Sequence, residues 1–93
     1  MREDMFKALD AKIMDICIST IDEVKEFVSI VSEYSCTTTL QSGKYMVDAK
    51  SILGVFSLDV SKPVKLIVEI GNNGIDDSAE LCEAIDKFIV KYW

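Results

Sequence analysis

Histidine is absent from the 93 residues of this chain, and that absence alone removes several chemistries. No Ser-His-Asp or Cys-His nucleophile can be assembled, and no imidazole is available to take or give a proton near neutral pH. The three cysteines, Cys17, Cys36 and Cys82, are widely spaced with no CxxC pair. A zinc site built from Cys/His clusters is therefore not expected, and the thiols read as free and buried. One proline and four glycines leave no linker or low-complexity stretch to divide the chain. No apolar run approaches the roughly 20 residues of a membrane span. The opening MREDMFKALDA is charged and has no apolar stretch of the secretory kind. The expected compartment is the cytoplasm.

Positive charge is also scarce. Ten Lys/Arg stand against sixteen Asp/Glu, a net charge of −6. The excess lies at the two ends, whereas residues 36–70 hold three acidic and four basic residues. A surface of this sign repels phosphate backbones and anionic lipid, so neither nucleic acid nor membrane is an expected partner. The near-neutral middle is where a protein can dock without a charge penalty.

What remains is an ordinary globular composition, 49% hydrophobic and 28% charged, sized for one domain. KIMDICI (12–18) reads as a first strand. Thr20 with Glu23 makes a capping box, and Ile21, Val24, Phe27, Val28, Val31 and Tyr34 follow at helical spacing. CTTTLQ (36–41) and KYMVDA (44–49) flank Ser42-Gly43, a hairpin signal. Residues 51–60 are too short and apolar for periodicity to decide, although Ser51 can cap a short helix weakened by Gly54. VKLIVEI (64–70) places Val64, Leu66, Val68 and Ile70 on one strand face, and GNNGIDD reads as a loop. Asp77 and Glu80 repeat the capping-box spacing before Leu81, Cys82, Ile85, Phe88 and Ile89. The order β-α-β-β-α-β-α predicts an α+β open-faced sandwich: a four-stranded antiparallel sheet with three helices on one face. Asp76, Asp77 and Glu80 read as capping and solvated residues; no metal and no cofactor are expected.

The stretch Ala49-Lys50-Ser51-Ile52-Leu53-Gly54-Val55-Phe56-Ser57-Leu58 resembles the segment around the regulatory serine of HPr, the histidine-containing phosphocarrier of the bacterial phosphotransferase system. The Firmicute form of that segment reads close to AKSIMGVMSL. The resemblance covers roughly residues 12–90. It implies an HPr-like domain over 12–93 and leaves residues 1–11 as an N-terminal extension. Counted back from Ser51 without a gap, Thr20 falls at the family's histidine, Asp22 at its arginine and Glu23 at its proline. A helix N-terminus attracts anions through its free N–H groups and dipole. Here the Thr20/Glu23 box occupies those groups, and two carboxylates stand where a phosphate needs a cation. The turn reads as plain scaffold, and phosphohistidine cannot form without histidine. In this respect the chain is like the Crh branch of the family.

The resemblance also makes Ser51 a phosphorylation candidate, with Lys50 adding local positive charge and the short helix start favouring a phosphate. Ile52, Leu53, Val55, Phe56 and Leu58 cannot all face a core from one short helix. Ile52, Leu53 and Phe56 match the family's partner-binding patch. The expected function is a non-enzymatic regulatory module. Its expected partners are proteins, such as HPr kinase/phosphorylase or a transcriptional regulator. The alternative is a small-ligand-binding or structural α+β module that reused the fold.

Overall fold

The computed structural model describes residues 11–70 and 75–91. The extension proposed over 1–11 and the GNNG part of the 71–77 loop fall almost entirely outside the described residues. Four strands, β1 (Lys12–Ile16), β2 (Thr37–Ser42), β3 (Tyr45–Asp48) and β4 (Val64–Glu69), form one sheet in the order β1-β4-β2-β3, every pairing antiparallel. Three helices, α1 (Ile21–Val31), α2 (Ile52–Phe56) and α3 (Ser78–Ala84), join them, followed by a 3₁₀ turn at Asp86–Phe88. This is the expected open-faced sandwich.

Alternation along the strands decides which face is covered. Thr38 and Leu40 of β2 and Val64, Leu66 and Val68 of β4 are buried, while Thr37, Lys65 and Glu69 between them are exposed. The buried row meets Val24, Phe27, Val28 and Val31 of α1 and Leu81 of α3 in one core. The phenyl rings of Phe27 and Phe88 meet edge to face at 5.9 Å and 87°. That contact joins the first helix to the chain end.

Two cysteines depart from the buried reading. Cys36 is buried, but Cys17 is exposed and Cys82 is half-buried. For Cys17 the reason is parity: Ile16 and Ile18 are both fully buried, so the residue between them points outward. Ile70 departs likewise, at 43% exposure, because it lies beyond the end of β4, where α-helical cover stops. The last helix is also shorter than its apolar stripe suggests. It ends at Ala84, and Ile89 instead bridges Ile16, with Cys17 N–H donating to Phe88 C=O and Val90 N–H donating to Asp15 C=O. Residues 88–90 thus cover the Asp15–Cys17 end of the outer edge of β1.

Candidate functional site

The turn into α1 is built as the sequence suggests. Thr20 sits in extended conformation at the N-cap and its hydroxyl accepts from Glu23 N–H at 3.1 Å, while Glu23 carboxylate accepts from Thr20 N–H at 3.2 Å. Two orphan donors are thereby satisfied. Asp22 lies in the same first turn, exposed. A phosphate approaching this helix end meets the Asp22 and Glu23 carboxylates, with the Thr20 and Glu23 N–H groups already engaged.

Ser51 stands at the start of α2, exposed. Its hydroxyl accepts from Gly54 N–H at 3.2 Å, and its own N–H donates to Asp48 C=O at 3.0 Å. Gly54 is closely approached: a Cβ there would stand 3.3 Å from both Ser51 Oγ and Val47 Cβ, tight enough that a neighbour would have to give by a few tenths of an ångström. The glycine that weakens α2 as a helix therefore lets it lie close on β3. Lys50 is placed differently from the expectation of a charge beside Ser51. Its ammonium donates to Tyr34 C=O at 2.7 Å, beyond the end of α1, where a cation complements the helix dipole. Lys50 thus clips the approach to Ser51 onto the end of α1.

The apolar residues of this segment divide as one helical stripe demands. Val55 is fully buried and Leu58 nearly so. Ile52 is half-buried and packs against the core. Leu53 and Phe56 point outward, at 79% and 42% exposure. Ser51, Leu53 and Phe56 therefore share the outer surface of a helix that packs on α1 and β3.

Asp77 shows a role that sequence spacing concealed. It does not cap α3 through its side chain. Asp76 takes that place, accepting from Ser78 N–H at 3.1 Å. The Asp77 carboxylate instead accepts from Ser35 N–H at 2.8 Å, Ser35 O–H at 3.1 Å and Cys36 S–H at 2.8 Å. Three donors outcompete the cap. The Cys36 thiol and then the Ser35 amide hold the Asp77 carboxyl down at about 2, while burial and the Asp77 hydrogen bond push the Cys36 thiol up to about 11. Such a thiol is protonated at neutral pH and a poor nucleophile.

The sign of the resulting pH dependence is fixed. An Asp77 carboxyl lower in the folded chain than its ordinary 3.8 stabilises the fold above that value, and the contribution is lost as pH falls toward 2. A Cys36 thiol raised above 9.0 favours the unfolded state as pH rises from 9 toward 11. In denaturant titrations across pH, Asp77→Asn should flatten the acid limb and Cys36→Ala the alkaline one. Unchanged limbs would show the clasp to be energetically idle.

Among the described residues no group of three metal-ligating side chains is present. An open groove of about 550 Å³ runs beside β2 and β3, lined by Thr37, Thr39, Met46, Asp48 and Lys50 among others. No described helix is long and apolar enough to cross a membrane.

The chain matches the family model described as the PTS HPr component phosphorylation site over residues 23–91. That match begins three residues after Thr20. Among solved structures, the crystal structure of HPr-C-His from Thermoanaerobacter tengcongensis is similar, with a TM-score of 0.65 and 29% sequence identity, covering 83% of this chain and 86% of that one. No curated protein matches.

Proposed function

Because this chain belongs to the HPr family of the phosphotransferase system, we propose that it is a family member that has given up phosphoryl carriage and acts as a cytoplasmic regulatory binding module. The observation that carries the reading is Leu53, an apolar side chain 79% exposed two residues from an exposed serine and beside the exposed Phe56. Exposed apolar side chains rimmed by polar groups mark partner sites. Leu53 and Phe56 form the contact, flanked by Ile52, and Ser51 is the switch. HPr kinase/phosphorylase and a transcriptional regulator are the partners proposed.

The loss of carriage rests on the chemistry of the α1 turn. Thr20 and Asp22 take the family's histidine and arginine positions, and neither can do that work. Thr20 has no adjacent base to activate its hydroxyl. Asp22 repels the anion that an arginine would hold, and like charges at contact cost about 1 kcal/mol even in water. With enzyme I and phosphoenolpyruvate the chain is expected to stay unlabelled. Acid-labile phosphate on any residue would contradict this.

At Ser51 the kinase would pass the γ-phosphoryl group of ATP to the hydroxyl oxygen, releasing ADP and a proton. The new charge of about −2 would sit among the first N–H groups of α2. Gly54 N–H already points at the serine oxygen. Incubation with HPr kinase/phosphorylase and ATP should add one phosphate, read by intact mass and mapped to Ser51, and Ser51→Ala should remain unmodified. Phosphate retained in Ser51→Ala would move the switch elsewhere.

A further inference from the structure

We propose that β3 is a self-complementary edge through which two copies of this chain join their sheets. This rests on a surface separate from the Ser51 segment. Among the described residues β3 pairs with β2 alone and closes one side of the sheet, whereas at the opposite edge Ile89 bridges the Ile16 end of β1. The hydrogen-bond parity shows which groups face outward. Ala49 N–H donates to Thr38 C=O at 3.0 Å, which makes Thr39 and Asp48 a non-hydrogen-bonded pair across the hairpin. Val47 and Tyr45 therefore direct their backbone groups toward β2. The Met46 N–H and C=O, the Asp48 N–H and, from the turn before β3, the Lys44 C=O point away from it, whereas the Asp48 C=O accepts from Ser51 N–H.

An antiparallel pairing of β3 with itself, centred on Met46, uses this set in register. Met46 faces Met46 of the second copy in a hydrogen-bonded pair, and each Asp48 N–H meets the Lys44 C=O of the other copy. The side chains match as well. Met46 is 57% exposed and meets its own kind. Lys44 and Asp48, both exposed, fall directly opposite each other twice, once on each side of the two-fold axis. Lys44 makes no ion pair among the described residues. The charges that flank a short edge usually guard it against pairing. These two have opposite signs and the one spacing that lets them complement a second copy. Tyr45, 71% exposed, would stand opposite Val47 of the second copy on the helix side. The strand is short and each chain carries a charge of −6, so association is weak and concentration-dependent.

Sedimentation velocity of the full chain, from micromolar to millimolar concentration, tests this. Wild type should shift from monomer toward dimer. Lys44→Glu and Asp48→Lys should each weaken self-association by about tenfold, because each places like charges in both pairs. An equimolar mixture of the two variants, and the double variant K44E/D48K, should recover it, because opposite charges again face each other. Asp48→Asn, which keeps an acceptor for the Lys50 N–H, provides a weaker loss without disturbing the turn. A chain that stays monomeric at millimolar concentration would overturn the proposal. So would a dimer indifferent to all four variants.

Discussion

Phe27→Ala is expected to cost about 3–5 kcal/mol of folding stability, the usual range for truncating a fully buried aromatic. Phe27 is inaccessible to solvent and its ring meets Phe88 edge to face. The substitution removes the side chain that joins α1, the sheet and the 3₁₀ turn, so no neighbouring element can collapse into the space without moving another. A domain of 93 residues sits toward the lower part of the ~5–15 kcal/mol range of native stabilities. The variant should therefore be partly unfolded at room temperature, with its urea midpoint brought close to zero. A midpoint shifted by less than a third of the wild-type value would show that Phe27 is not central to the core.

Leu53→Glu is expected to do the reverse: leave stability within about 0.5 kcal/mol and remove partner binding. At 79% exposure Leu53 contributes little to the fold. In an interface, an apolar anchor is worth 2 kcal/mol or more, about a thirtyfold change in affinity, and a buried carboxylate adds its own desolvation cost. Phe56→Glu should weaken binding comparably but also lower stability somewhat, since more than half of Phe56 rests against the protein. The pair thus separates surface from core. Titration calorimetry with purified HPr kinase/phosphorylase, alongside urea melts, gives both readouts. Wild-type affinity in Leu53→Glu would remove this residue from the contact.

The strongest features of the sequence were the local ones. The Thr20/Glu23 box and the α1 stripe rest on contacts three or four residues apart, so spacing alone exposes them. The hairpin was equally plain, because Gly43 takes the positive φ of 61° that its turn requires. Residues 51–58 resisted periodicity, since five helical residues complete little more than one turn. There the family resemblance located the segment, but only the fold shows that Ile52 leans inward while Leu53 and Phe56 do not. Asp77 marks where local reading ends. Its partner Ser35 is 42 positions away, and nothing in the Asp77–Glu80 spacing distinguishes a cap from a carboxylate turned toward another element. Cys17 was misread as buried, although the alternation between the buried Ile16 and Ile18 turns it outward.

The proposed docking surface is the segment from Ser51 through Leu58. Its most direct test is titration of the isotope-labelled chain with unlabelled HPr kinase/phosphorylase, followed by amide resonances. Perturbations should concentrate at Ser51 through Leu58, strongest around Leu53 and Phe56, and disappear in Leu53→Glu. Perturbations confined to the outer sheet face around Ile13 and Lys65, with residues 51–58 silent, would contradict it.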